Sequence, residues 1–379
     1  MLAPPKTKRQ GRATTHRRHN SRLKQPEVLG NGDFSTVVVA WYRQHGRRDL
    51  PWQNSDNPYH RWVSEIMLQQ TRVVTVIPYY SRFIKRFPNL KTLTMGPIDE
   101  VLEYWSGLGY YARARNLRCA AEIIQLEYQG IFPDSYEKIV SLPGIGRSTA
   151  GAILAFSYHK PYPILDSNVR RVLARYHAIG GWTGHSKVEN RLWGVAEKYM
   201  AHEDIGDYTQ GMMDIGAEVC LPRHPRCSIC PLSNGCKGYS QGNLEQYPGP
   251  RPKRKRQKRI VLMVMVRDPS GRVLLEHRPA MGIWGGLWSF PECPDGSSPE
   301  DWFETKFRCQ IKIANQLDSV QHMFTHIELE IRPLLACLTG TVLALDSLDC
   351  VWYKLDMPIG LGLPAPVRRL LKQLEDYPI

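Results

Sequence analysis

The sequence predicts two folded domains of different class, a mostly α-helical domain followed by an α+β domain. Three observations carry this reading. From Phe34 to about Ala217, apolar residues recur at spacings of three and four between short Gly or Pro breaks, the signature of amphipathic helices. A cysteine cluster at 220–236 and a Pro-rich, basic stretch at 247–259 then interrupt the pattern. Beyond residue 259 short β-rich runs take over. A chain of 379 residues is long enough for two cores.

The elements follow in order. Residues 1–30 read as a basic, disordered tail, and 31–219 as the helical domain, with helices expected at Tyr59–Thr71, Ala112–Tyr128, Ser148–Tyr158 and Val188–Met200. The cysteine loop occupies 220–236 and an interdomain linker 237–259. In the α+β domain at 260–379, strands are expected at Ile260–Val266, Arg272–Arg278, Ile327–Leu338 and Cys350–Leu355, and helices near 299–307 and 365–375. No internal repeat is visible.

The net charge of +14 points to a polyanionic partner, but its location limits the inference. Residues 1–26 hold eight Lys or Arg and residues 251–259 hold seven, with no acid in either, leaving 35 basic against 36 acidic residues elsewhere. The two basic segments fit loose phosphate contact or plain solvation equally well. The longest apolar run, Ile260–Val266, falls far short of the roughly 20 residues of a membrane span. With no apolar signal-peptide core in the first 30 residues, an intracellular, reducing setting is expected, with a bacterial cytoplasm first.

In such a setting cysteines serve as thiols or metal ligands. Cys220, Cys227, Cys230 and Cys236 form C-x6-C-x2-C-x5-C, four soft donors suited to one metal site. Donor type leaves zinc and an iron-sulfur cluster both open. The remaining cysteines show no ligand spacing.

Residues 142–154, LPGIGRSTAGAIL, set a Gly-x-Gly turn before a helix, so that backbone N–H groups at Gly144 and Gly146 can approach a phosphate. This is the helix-hairpin-helix pattern, a contact that positions nucleic acid without reading sequence. Glu65, within WVSEIMLQQT, shares a helix face with Leu68 and Gln69. Asp166 stands just ahead of a basic helix in PILDSNVRRVLAR. Taken singly, Glu65 reads as an ordinary helical glutamate and Asp166 as a helix cap.

Their company changes the reading. LQQT, GLGYYARA at 107–114, LPGIGRS, LDSNVRRVL and the four-cysteine spacing occur in one order on one chain. Over about 34–375 the sequence resembles MutY-type adenine DNA glycosylases of the endonuclease III superfamily. The resemblance implies a helical glycosylase domain, a 4Fe-4S cluster on Cys220, Cys227, Cys230 and Cys236, and a Nudix-like domain that reads 8-oxoguanine. Glu65 is then the acid that protonates adenine N7, since a protonated base leaves as a neutral group. Ionised Asp166 would stabilise oxocarbenium character on the sugar. At about 4 Å and an effective dielectric near 20 that attraction is roughly 4 kcal/mol, on the order of a thousandfold in rate.

Further roles follow from the same resemblance. Gln70 and Tyr110 fill or wedge the base stack, and Trp52, Leu68 and Gln210 line the adenine pocket, with Asn168 and Ser148 grouped beside it. Ser148 stands where bifunctional relatives carry a lysine nucleophile, so hydrolysis without efficient strand cleavage is expected.

GIWGGLWSFPE at 282–292 resembles Nudix-fold domains, yet PECPDGSSPEDWFETKF lacks the REx2EE arrangement that holds magnesium, which predicts binding and not hydrolysis. HMFTH at 322–326 places Phe324, Thr325 and His326 where the family uses Phe-Ser-His against 8-oxoguanine, the threonine hydroxyl replacing that of serine. The expected partner is double-stranded DNA with A opposite 8-oxoguanine or G, bound by a monomer without membrane contact. The rival readings are a thymine or oxidised-pyrimidine glycosylase and a non-catalytic DNA-binding scaffold.

Overall fold

A computed structural model describes residues 34–252, 255–339, 349–357, 359–375 and 377; the basic tail expected at 1–30 lies outside the described residues. The helical domain runs α1 (Phe34–His45), α2 (Pro58–Leu68), α3 (Val73–Arg86), α4 (Leu90–Met95), α5 (Ile98–Trp105), α6 (Ala112–Glu127), α7 (Tyr136–Val140), α8 (Arg147–Tyr158), α9 (Ser167–Tyr176), α10 (Ser186–Tyr199) and α11 (Ile205–Asp214). A π turn at Ile215–Val219 then leads into Cys220. Among the described residues no helix is long and apolar enough to cross a membrane.

Helix α2 shows how the sequence places the site. Asn57 caps it by accepting the Tyr59 N–H, and Pro58 supplies a preset first turn. Tyr59, Trp62, Val63, Ile66 and Met67 are buried, while Glu65, Leu68 and Gln69 keep partial exposure on another face. The apolar stripe therefore sinks into a core that includes Phe83 and Trp105, and Glu65 is left facing a pocket. A second core, around Val38, Leu173 and Met212, joins α1, α9 and α11.

The segment expected as a linker from 237 is in large part packed on the helical domain. After the cysteines come α12 (Lys237–Ser240) and a turn at Leu244–Gln246; the Gly249 N–H then donates to Gly181 O at 2.8 Å. The cause is Arg175, 3% exposed, whose guanidinium takes Tyr247 O as one of its acceptors and so pins the segment.

The second domain is built on β1 (Gln257–Arg267), β2 (Val273–His277), β3 (Trp288–Ser289), β4 (Glu292–Cys293), α13 (Pro299–Phe307), β5 (Ile311–Gln316), β6 (Val320–Met323), β7 (Ile327–Leu338), β8 (Cys350–Tyr353) and α14 (Ala365–Glu375). β1 and β7 run parallel from Gln257↔Ile327 to Arg267↔Cys337, while β2 and β4 pair antiparallel to β1, and β5 and β6 antiparallel to β7. β1 begins before residue 260 because polar Gln257, Lys258 and Arg259 still satisfy backbone groups of β7. The α2 core continues into this domain through Leu102, Trp105, Leu287, Leu363 and Leu370.

The approach of α8 to the 163–165 segment needs a glycine. A Cβ on Gly151 would stand 2.5 Å from Pro163 O, a backbone atom that cannot swing away. Gly151→Val should lower the denaturation midpoint by an amount equivalent to about 1–3 kcal/mol. Gly146→Ala, where a Cβ meets nothing within 4 Å, should stay close to wild type. Equal losses for the two variants would contradict this packing.

Candidate active site and nucleic-acid interface

A pocket of about 100 Å³ lies between the last turn of α2, the first turn of α8 and the segment 164–166. Glu65 and Asp166 face it together with Leu68, Ser148 and Met213. Ser148 fixes the wall: its Oγ accepts the Leu165 N–H at 3.0 Å, one residue before Asp166. Asp166 caps α9, Oδ1 accepting the Val169 N–H at 2.8 Å.

The environment separates the two carboxyls. Burial, then the neighbouring Asp166, push Glu65 up to about 7, and Arg61 opposes the shift. Burial also pushes Asp166 upward, but the Val169 N–H and Arg171 work against it by favouring the ionised form. Asp166 thus has a hydrogen bond that stabilises its charge, whereas Glu65 has none among the described residues. The pocket holds one carboxylic acid beside a better-stabilised carboxylate, a pairing suited to general-acid chemistry.

Helix α9 joins this pocket to the cysteines. Arg171 Nε donates to Cys220 O at 2.7 Å, and its Nη2 reaches Gly216 O at 2.6 Å and Asn168 Oδ1 at 3.0 Å. One turn on, Arg175 donates to Leu221 O, Pro222 O and the Cys220 sulfur. Asn168 is therefore held in this network and not on the pocket wall.

The four cysteines line one largely apolar cavity with Val172 and Tyr176. Among the described residues, no three His, Cys, Asp or Glu side chains converge as the shell of a single ion. Four thiols around one cavity fit a group held by four soft donors. Burial pushes the Cys230 thiol up to about 12 and those of Cys227 and Cys236 upward as well, so a cationic centre would be needed to ionise them.

Around the pocket mouth lie the elements expected to meet nucleic acid. α7, the turn at 143–146 and α8 form a helix-hairpin-helix, with Gly144 at φ +80° and Gly146 at the N-cap of α8. Gln69 Nε2 ties it to α2 through Gly144 O and Thr149 Oγ1, both at 3.3 Å. Gln70 and Tyr110 are exposed and both hold left-handed backbone, φ 58° and 49°, conformations that side-chain-bearing residues adopt at a cost.

Arg113 serves both loops. Its buried guanidinium donates to the carbonyls of Ile66, Met67 and Gln69 on one side and those of Leu108 and Gly109 on the other. Sequence reasoning missed Arg113, although GLGYYARA contains it, and it missed Asp214, fully buried against Arg47 and Gln210. Gln210 is held by Asp214 at 2.9 Å, and Trp52, 2% exposed, packs edge-on to Tyr80 in the core. Neither lines the pocket, because each already fills a buried position.

In the second domain Phe324, Thr325 and His326 form the turn between β6 and β7, closed by the Phe324 N–H on Ile327 O at 2.8 Å. Thr325 and His326 are exposed, and Phe324 packs on Trp284 and His322. On and beside α13, Glu300 accepts the Ile313 N–H, Glu304 the Gln310 amide, and Glu276 pairs with Lys306.

These features define a helix-hairpin-helix base-excision glycosylase fused to a Nudix-fold domain. Residues 63–198 match the HhH-GPD superfamily of base excision DNA repair proteins, and residues 262–373 match the NUDIX domain. Adenine DNA glycosylase of Buchnera aphidicola subsp. Baizongia pistaciae is 39% identical over 344 residues, covering 91% of this chain and 97% of that one. The mouse adenine DNA glycosylase is 31% identical over 91% of this chain and 78% of its own length. A thermostable thymine-DNA glycosylase structure aligns with TM-score 0.49 and 28% identity, over 55% of this chain and 95% of that one. The chain belongs to the adenine DNA glycosylase family, and it is a DNA N-glycosylase.

The buried acid carries a stability signature. A carboxyl raised from its ordinary 4.5 to about 7 in the folded state destabilises that state progressively as pH climbs from 4.5 to 7, because the unfolded chain ionises first. Glu65→Gln removes this titration. The stability gap in favour of the variant should widen across that window, by on the order of 3 kcal/mol, and level off above it. Parallel stability curves for the two proteins from about pH 4 to 8 would contradict the assignment.

Proposed function

We propose that this enzyme excises adenine paired with 8-oxoguanine, and with G, by hydrolysing the N-glycosidic bond without cleaving the strand. The observation that carries the chemistry is Glu65, held near neutrality beside Asp166 in one pocket. Adenine extruded from the duplex receives the Glu65 proton at N7, the C1′–N9 bond breaks, and the base departs neutral. Asp166, its charge supported by the Val169 N–H, faces the oxocarbenium-like sugar. Water adds at C1′ and gives its proton back to the Glu65 carboxylate, which restores the acid and leaves an abasic site.

Several placements support the remaining roles. Gln70 and Tyr110 lie exposed on loops braced by Arg113, suited to occupy the stack beside an extruded base. The turn at Gly144 and Gly146 offers backbone N–H groups to phosphate. Leu68 lies on the pocket wall, Asn168 is held by Arg171, Gln210 by Asp214, and Trp52 packs in the α2 core. Phe324, Thr325 and His326 present an aromatic ring, a hydroxyl and an imidazole to the opposite base.

Ser148 has no amine with which to form a Schiff base, and its hydroxyl is already engaged with Leu165. Cys220, Cys227, Cys230 and Cys236 are assigned a 4Fe-4S cluster. These cysteines would hold the cluster through four thiolate bonds that cross-link residues 220–236, and Arg171 and Arg175 tie that loop to α9.

Single-turnover adenine release should be fastest on duplexes with A opposite 8-oxoguanine, slower opposite G and slowest opposite C or T. Glu65→Gln should bind duplex as wild type does yet release adenine about 100- to 10,000-fold more slowly. The product should be an abasic strand that breaks only with alkali, and borohydride should trap no protein on DNA. Rapid strand nicking, or unchanged release by the variant, would contradict the proposal.

A further inference from the structure

Arg115 lies two residues beyond Arg113 in the first turns of α6, and its side chain crosses to the other domain. The guanidinium donates to the carbonyls of Gly285 and, at 3.2 Å, Ala280, bracketing the loop between β2 and β3. Its stem lies against Gly286, where a Cβ would stand 3.3 Å from Arg115 Cδ. Among the described residues no carboxylate pairs with Arg115, so the clamp consists of loop carbonyls alone.

The clamped loop carries Trp284, buried and at φ +54°. Trp284 packs on His322 at 5.5 Å and on Phe324 at 5.7 Å between ring centroids, under the β6–β7 turn. A continuous line of contacts thus runs from the Tyr110 loop through α6 and Arg115 to Trp284 and Phe324. Docking of the domains does not depend on this clamp. It is maintained by Trp288 Nε1 on Asp99 Oδ1 at 3.1 Å, by Ser106 Oγ on Leu363 O at 2.7 Å, and by the shared core of Leu102, Trp105 and Leu287.

We infer that Arg115 is a positioning residue for substrate specificity: it sets the register between the wedge loop at Tyr110 and the β6–β7 turn that faces the opposite base. This rests on the reading of that turn as the 8-oxoguanine reader. Loss of the clamp should loosen Trp284 and Phe324 while the α2 pocket, which Arg115 does not line, keeps its geometry. Opposite-base discrimination then falls and basal chemistry persists.

The test measures single-turnover adenine release by the full-length protein on duplexes with A opposite 8-oxoguanine and A opposite G. Arg115→Ala should lower the ratio of the two rates about fivefold or more, the scale of a coupling near 1 kcal/mol, with the rate opposite G within about twofold of wild type. Trp284→Ala should lower the same ratio, and the double variant should fall no further than the larger single effect. Arg115→Lys keeps the stem and one donor, so it should give an intermediate ratio; it also serves as the readout should the alanine variant not fold.

An unchanged ratio in Arg115→Lys and Arg115→Ala, or equal losses on both duplexes, overturns the inference. A wild-type enzyme that releases adenine equally from both duplexes would instead overturn the reading of the turn, an outcome separable from failure of the clamp.

Discussion

Everything at the active site depends on two carboxyl groups being enclosed in one small pocket. α8 approaches the 163–165 segment closely enough that only glycine fits at 151, and this brings Asp166 to the same space as Glu65. Burial disfavours charge on both, so the arrangement holds one proton more readily than none. The backbone decides which group keeps it: Asp166 sits at a helix N-terminus and receives an N–H, whereas Glu65 projects from the last turn of α2 with no hydrogen-bond donor among the described residues. Division of labour between acid and counter-charge thus follows from helix placement.

Buried and half-buried arginines are set against carbonyls in place of acids. Arg113 braces the loops at Gln70 and Tyr110, and Arg171 and Arg175 grip the cysteine loop from the helix that Asp166 caps. A planar guanidinium can satisfy several carbonyls at once, which suits irregular segments that lack a ladder of their own. The loops at Gln70 and Tyr110 and the loop that carries the cysteines are therefore tied to the helices that bring Glu65 and Asp166 together.

Much of this was legible in the sequence where local rules dominate. The helices at Pro299–Phe307 and Ala365–Glu375, the strand at Ile327–Leu338 and the turn at Gly144 follow from apolar period, capping and glycine placement. β5 and β6 escaped notice because their residues are largely polar and exposed, and they exist as strands only by pairing with β7. The packing of residues 237–249 was hidden for a related reason: a Pro-rich, basic composition describes the end of the segment, while its start is held by Arg175, distant in sequence. The burial of Trp52 and the Asp214 network likewise depend on tertiary partners. Glu65 was legible only through neighbouring motifs, since its raised pKa arises from burial and from Asp166, which no local pattern encodes.

Glu65 retains a proton near neutral pH partly because of Asp166. Carbon-13 NMR titration of the Glu65 side-chain carboxyl, in wild type and in Asp166→Asn, tests it without relying on turnover. The midpoint should lie at about 7 in wild type and move clearly downward in the variant. A wild-type midpoint at the ordinary glutamate value, or one indifferent to Asp166→Asn, would contradict it.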